Sequence, residues 1–353
     1  MEKLEKLRAC FAEYGIDGML ITNSYNRRYM TGFTGTAGVA VISKTEAVFI
    51  TDFRYAEQAA KQIKGYEIVQ HAGSIIEEVA KQAARLQIKK LGFEQDHLSY
   101  ATFQAYEREA EVVLVPVSGL VEKLRLIKSD SEIKILKEAA EIADAAFNHI
   151  LQFIRPGVRE IEVAHELEFF MRKQGAISSS FDIIVASGYR SALPHGVATD
   201  KIIEKGEFVT LDFGAYYHGY CSDITRTVAV GEVSDELKKI YDIVLKAQLR
   251  GMEGIKPGMT GKEADALTRD YISEQGYGEH FGHSTGHGIG LEIHEGPTLS
   301  VRSDVRLEPG MVVTVEPGIY IAGLGGVRIE DDTVVTADGN DPLTRSPKEL
   351  IIL

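Results

Sequence analysis

The stretch Phe208-Val-Thr-Leu-Asp-Phe-Gly-Ala-Tyr-Tyr-His-Gly-Tyr-Cys-Ser-Asp223 holds two carboxylates where a sheet should leave little water. Residues 208–212 are β-formers, Gly214 and Gly219 supply bends, and 224–230 is β-rich again, so the pattern predicts a hairpin. Asp212 and Asp223 lie on its two arms and can be set side by side by strand pairing. A buried carboxylate needs a partner. Either one Asp caps the turn while the other pairs with Arg226, or the two face each other and require a cation between them.

The pattern recurs downstream. Val312-Val-Thr-Val-Glu-Pro-Gly318 echoes Phe208-Val-Thr-Leu-Asp-Phe-Gly214, with Glu316 matching Asp212, and each is followed by a second acidic strand that carries Asp223 or Glu330. Upstream, Ile154-Arg-Pro-Gly157 and Ile255-Lys-Pro-Gly258 each open a segment that closes on Gln-Gly, and Glu162 maps onto Glu263. A repeat spaced by about 100 residues implies duplicated helix-helix-hairpin halves. If the halves pack face to face, Asp212, Asp223, Glu316 and Glu330 converge. An oxygen-dominated set suits hard or borderline cations such as Mn²⁺. Four formal charges balance two divalent ions, which such sites hold about 3.5–4 Å apart around a shared water of lowered pKa. The competing account, surface acids in a chain with 52 of them, leaves their place inside Val/Ile/Thr-rich runs unexplained.

Between these acids, His283-Ser-Thr-Gly-His-Gly-Ile-Gly-Leu-Glu-Ile-His294 gathers three of the ten histidines with three glycines. Glycine lets backbone approach closely, and neutral imidazole is a common metal ligand. His287, among Gly286, Gly288 and Gly290, is the candidate nitrogen ligand, with His283 and His294 flanking it as hydrogen-bond donors. His195, in Leu193-Pro-His-Gly196, reads on its own as an ordinary turn histidine.

The elements that must carry these residues fall into two regions. Residues 1–122 alternate helix and strand patterns, with helices over 4–14, 55–64, 75–86 and 100–110 and strands over 18–22, 38–42, 47–51, 90–94 and 111–117, as in an α/β domain with a mixed sheet. The glycine-punctuated loop 30–38 lacks the Lys-Ser/Thr ending of a phosphate loop. Ser129 and Glu132 form a capping box that opens a helix over 130–153, which places the second domain at 123–353. The net charge of −13 argues against nucleic acid and anionic membrane as partners. No apolar run spans a bilayer. The charged start Met1-Glu-Lys-Leu-Glu-Lys-Leu-Arg reads as an amphipathic helix rather than a signal peptide. Cys10 and Cys221 provide no disulfide framework, so the expected compartment is the cytoplasm.

Gly-His-Gly-Ile-Gly-Leu-Glu-Ile-His-Glu-Gly-Pro, Thr-Val-Glu-Pro-Gly-Ile-Tyr, Gly-Val-Arg-Ile-Glu-Asp, Leu-Asp-Phe-Gly and Ser-Asp-Ile-Thr-Arg-Thr together resemble the creatinase/aminopeptidase superfamily of metallopeptidases, and within it the Xaa-Pro peptidase branch of prolidase and aminopeptidase P. Met30-Thr-Gly-Phe-Thr-Gly and Thr51-Asp-Phe-Arg-Tyr55 are similar to that branch's N-terminal domain. The resemblance implies an α+β fold: a pita-bread catalytic domain of duplicated αβ halves related by a pseudo-twofold, preceded by a smaller α/β creatinase-like domain. It implies that Asp212 chelates a first metal, Asp223 and Glu330 bridge both, and His287 and Glu316 complete the second. It makes His195, His283 and His294 substrate histidines and Arg328 an arginine that orients acidic ligands. The implied reaction is metal-assisted hydrolysis of the bond before proline. A metal and His283 or His294 would stabilise the oxyanion, and Glu316 would carry the proton to the leaving nitrogen. Xaa-Pro dipeptidase is the leading expectation, with two divalent ions per subunit, Mn²⁺ ahead of Co²⁺ or Zn²⁺. Aminopeptidase P action on longer peptides is the alternative. A non-metal creatinase-like amidinohydrolase, or a peptide-binding module, would show a degraded acid–histidine set. A homodimer is implied, in which the 30–38 loop is a candidate for closing a partner's cleft.

Overall fold

The computed structural model, which describes residues 2–353, separates into two units, Met1–Arg125 and Leu126–Leu353. In the first, six strands form one mixed sheet: β1 (Gly18–Ile21), β2 (Val39–Ser43), β3 (Ala47–Thr51), β4 (Glu67–Gln70), β5 (Lys90–Glu94) and β6 (Val113–Val117), in the order β4-β3-β2-β1-β5-β6. β1, β2 and β3 are buried along their whole length, as their unbroken apolar runs require. β4 was not expected. It is an edge strand whose terminal Glu67 and Gln70 face solvent, so it lacks the apolar pattern that marks a strand. The helix Ser24–Thr31 was also missed. Its polar sequence hides it, and Asn23 starts it by accepting from the Tyr25 and Asn26 N–H groups. The expected 4–14 helix is two helices, Glu2–Ala9 and Phe11–Tyr14.

The second unit is built twice over. Helix Asp130–Ile150 opens on the Ser129/Glu132 capping box and buries Leu136, Ala139, Ala143, Ala146 and Ile150; each such Leu or Ile contributes about 1.5–3 kcal/mol. Its counterpart is Asp235–Gly254. Pro-Gly turns with left-handed Gly157 and Gly258 (φ 93° and 87°) lead into two helices of 14 residues, Glu160–Lys173 and Gly261–Glu274. Each half then supplies antiparallel strands. Ile184–Ser187, Glu207–Phe213 and Ile224–Val230 form one sheet. Gly286–Gly288, Val312–Val315 and Asp331–Val335 are the matching strands of a five-stranded sheet. An antiparallel bridge between Thr225 and Glu330 joins the two sheets.

Candidate metal centre

The seam made by that bridge is where the acids meet. In the first half Asp212 lies opposite Thr225 in the ladder, and Asp223 immediately precedes the strand Ile224–Val230. In the second half Glu316 follows Val312–Val315, and Glu330 immediately precedes Asp331–Val335. Thr225 Oγ1 donates to Glu330 Oε2 at 2.6 Å, and the Glu330 N–H donates to the Thr225 carbonyl at 3.1 Å. His287 sits mid-strand in Gly286–Gly288. A Cβ on Gly286 would lie 1.9 Å from the Thr314 carbonyl oxygen, and one on Gly288 1.9 Å from that of Gly296. The flanking glycines are therefore the condition for threading His287 between its neighbours. Its Nδ1–H donates to the Gly288 carbonyl at 3.0 Å, which leaves the Nε2 lone pair facing Asp223 Oδ2 at 3.7 Å and Glu316 Oε1 at 3.4 Å.

Ligand atoms of Asp223, His287 and Glu330 all lie within 4.8 Å of one another. Asp223 Oδ1 and Glu330 Oε1 are buried and accept no hydrogen bond. Two buried carboxyl oxygens left without donors cost several kcal/mol when ionised, and a cation is a group that would satisfy both. Neither Asp212 nor Asp223 pairs with Arg226. Arg226 is spent on Asp331 (2.8 Å) and on the carbonyls of Thr225, Glu330, Ser346 and Pro347.

The surroundings set the protonation states. Burial first, then the charges of Glu330 and Asp212, raise Asp223 well above the usual carboxylate range. Burial, then Glu316 and Asp212, does the same for Glu330. Burial pushes Glu316 up to about 8 against the pull of Arg328, and pushes His287 down to about 4, so its imidazole is neutral at pH 7. A divalent cation reverses the preference of the acids, so its uptake must expel protons. Titrating Mn²⁺ into chelated protein at pH 7, in two buffers of different ionisation enthalpy, should give heats that reveal net proton release, and affinity should weaken as pH falls. Buffer-independent heats would contradict this.

Arg328 is buried beside these acids. It pairs with Asp212 and donates to Thr225 Oγ1 (3.1 Å), the Pro194 carbonyl (3.1 Å) and Tyr320 Oη (2.9 Å). Tyr320 in turn donates to His283 Nε2 at 2.7 Å, while His283 Nδ1–H donates to the Ser284 carbonyl at 2.8 Å. Both nitrogens of His283 thus have partners within the protein. His294 packs edge-on to His287, with ring centroids 4.4 Å apart. His195 and His294 are exposed on the wall of a cavity of about 770 Å³. That cavity is lined by all nine residues singled out above: Asp212, Asp223, His287, Glu316, Glu330, His195, His283, His294 and Arg328. Sequence reading missed Tyr320 and Asp332, whose Oδ2 accepts the Asp223 N–H at 2.8 Å. The doubled Asp331-Asp332 inside a β-rich run was the available signal.

Residues 134–337 match metallopeptidase family M24, and residues 3–127 match the creatinase/prolidase N-terminal domain. The chain belongs to metallopeptidase family M24. The M24 chain is 67% identical to an uncharacterised peptidase of Bacillus subtilis, over 99% of this chain and 100% of that one. The solved structure of an Xaa-Pro dipeptidase from Bacillus anthracis is 74% identical and covers 100% of this chain and 99% of its own, with a TM-score of 1.00. That of an X-Pro aminopeptidase from Thermotoga maritima is 43% identical, with a TM-score of 0.91, and covers 96% and 98%. Membership of M24 implies divalent metal, and the orphaned oxygens of Asp223 and Glu330 fit one. The fold is that of the M24 catalytic domain preceded by the creatinase-type domain.

Proposed function

We propose that this M24 peptidase hydrolyses the bond between an N-terminal residue and proline as an Xaa-Pro dipeptidase. The observation that carries the reading is the pair of buried, donor-less carboxylate oxygens on Asp223 and Glu330, in residues whose ligand atoms gather with those of His287 within 4.8 Å; the substrate class follows the Bacillus anthracis relative. Two divalent ions, Mn²⁺ first and Co²⁺ or Zn²⁺ as substitutes, would be held by Asp212, Asp223, Glu330, His287 and Glu316. When bound they would supply an activated water and a Lewis acid. The chain's own residues do the rest. Acids lining the cavity favour the substrate's cationic amino terminus. Phe181, Ile184, Pro194, Val197 and Ile293 form an apolar wall for the proline ring, whose nitrogen offers no donor. His294, which lines the same cavity as His195, is assigned the developing oxyanion, because His283 is held by Tyr320 and Ser284. Glu316, at about 8, can hold a proton near neutrality and pass it to the leaving nitrogen.

One observation favours the second reading, aminopeptidase action on longer chains. Among the described residues lining the cavity, Arg328 is the sole Lys or Arg, and its guanidinium is already engaged. A dipeptide's terminal carboxylate would have to be met by a histidine or by a partner subunit. Homodimerisation is proposed for that reason. A cytoplasmic setting is consistent with two free cysteines, and no described helix is long and apolar enough to cross a membrane. With Mn²⁺, hydrolysis of Leu-Pro and Gly-Pro at rates comparable to a longer Xaa-Pro peptide is expected. Turnover of the longer peptide alone would favour the second reading, and no turnover with any of the three metals would overturn both.

A further inference from the structure

The metal-type acids stand on or beside strands that hold one another by their ladders. The three non-ligand histidines stand outside strands, His195 and His283 on irregular segments and His294 just before the strand Glu295–Leu299, whose Glu295 pairs with Gly288. Near each lies an ion pair with at least one partner almost wholly withdrawn from water.

The His195 loop shows the device most fully. It leaves the strand Ile184–Ser187 and returns at Thr199. Glu160, wholly buried in the first turn of its helix, reaches both ends. Its Oε1 accepts from the Ser187 N–H and Oγ at 2.8 Å each. Its Oε2 accepts from the Thr199 N–H at 3.2 Å and the Thr199 Oγ1 at 2.8 Å, and pairs with Arg190 inside the loop. Arg190 Nη2 then donates to the Val197 carbonyl at 2.9 Å. One carboxylate and one guanidinium thus satisfy the loop's entry, middle and exit.

The other half repeats the idea with different residues. Asp265, 1% exposed, grips Arg269 through Nε (2.6 Å) and Nη2 (2.8 Å), and accepts the Thr285 N–H at 3.0 Å. Arg269 donates to the carbonyls of Phe281 (3.1 Å) and His283 (2.6 Å). Next to His294, Glu295 Oε1 accepts from Lys128 Nζ at 2.7 Å, with side chains 8% and 2% exposed. Buried ion pairs are weak sources of net stability. What a charged, forked pair adds is direction: it satisfies several backbone groups of an irregular segment at fixed angles.

We propose that Glu160–Arg190, Asp265–Arg269 and Lys128–Glu295 are positioning pairs that fix His195, His283 and His294 around the metal centre without taking part in cation uptake. The proposal rests on the peptidase reading. The test is Glu160→Gln, which keeps the side chain's shape but turns an amide N–H toward donors. Three results are expected. The kcat/KM for an Xaa-Pro substrate falls about 10–100-fold, the scale of loss from small misplacement of reacting groups. Mn²⁺ stoichiometry and affinity, by calorimetry, match the wild type. Amide hydrogen exchange, measured on metal-free protein, quickens across 187–199 but not across Glu207–Phe213.

Should Glu160→Gln not fold, Arg190→Lys keeps the buried charge while losing the second arm of the fork to Val197, and the same three readouts apply. Unchanged exchange over 187–199, or Mn²⁺ affinity falling in step with activity, would overturn the proposal. A wild-type protein that cleaves no Xaa-Pro substrate would instead sink the functional reading, and the exchange and calorimetry would still decide the positioning role.

Discussion

Replacing Asp223 by Asn is expected to raise the melting temperature of the chelated protein while abolishing its stabilisation by Mn²⁺. In the metal-free fold the Asp223 carboxyl faces Glu330 and Glu316, with Oδ1 unsatisfied. An amide of nearly the same shape removes one of the repelling charges and offers its N–H to the His287 lone pair 3.7 Å from Oδ2. In excess Mn²⁺ the order reverses. The wild type gains RT ln(1 + [Mn²⁺]/Kd), about 2.7 kcal/mol at a hundredfold excess over Kd, and the variant gains little. Activity should fall on the order of 10³-fold, since polarisation by the metal is worth several kcal/mol. The pH dependence has a fixed sign. Asp223, Glu330 and Glu316 have folded pKa values above their unfolded ones, so the folded state binds more protons and loses stability as pH rises, for Glu316 up to about 8. His283 and His287 act oppositely, but between about 4 and 6.5. As pH rises through the range in which Asp223 ionises, the chelated wild type should therefore lose stability faster than the variant, which lacks that carboxyl. A variant that melts lower than wild type in chelator, across that window, would falsify the account of a cation-shaped site.

Sequence alone exposed this site because its residues break compositional rules. An Asp after Val-Thr-Leu, a Glu after Val-Thr-Val and a His set between glycines are poor choices for a strand unless something outside the strand needs them. The duplication was legible because Pro-Gly turns punctuate both halves at matching places, and the structure places left-handed glycines at each. What stayed hidden was ordinary in type. Glu160 and Asp265 lie in or just after the first turn of helices, where an acid is expected to be solvated; nothing local says that they are buried hubs. Lys128 and Glu295 are far apart in sequence, so their pairing is purely tertiary. Proximity in the chain made a hairpin Asp one alternative partner for Arg226, yet Arg226 crosses to Asp331 in the other half. Short-range pattern reports what a residue is unsuited to; it does not report which distant group meets it.

The contrast explains how the two halves share the work. Strand register alone brings Asp212, Asp223 and Glu330 around Thr225, so the charge centre is specified by the same hydrogen bonds that make the sheets. Registers shift only in whole residues, and a slip would carry the acids to the opposite face. The acids are therefore placed with little adjustable freedom, whereas the histidines depend on side-chain ties that can be altered one at a time.

Arg328→Met is expected to cost about 3–5 kcal/mol in chelated protein, the loss typical of removing one partner from a buried ion pair. Met approximates the stem of Arg, so the change isolates the guanidinium. Its removal leaves Asp212 without its donor and strips Thr225 Oγ1, the Pro194 carbonyl and Tyr320 Oη of one bond each. Tyr320 holds His283 and Pro194 precedes His195, so two histidines lose a constraint at once. Two further measurements separate charge from packing. Excess Mn²⁺ should restore part of the stability, because a cation at Asp212 replaces the lost positive charge. Asp212→Asn combined with Arg328→Met should recover most of it in chelator, giving a coupling well beyond the roughly 0.5 kcal/mol limit of additive behaviour, while activity stays lost. Urea denaturation of the four proteins completes the cycle. Additive losses would mean that Arg328 serves the fold through packing and backbone carbonyls rather than through Asp212. The expected coupling instead makes it the internal counter-ion that lets a cluster of acids fold before any metal arrives.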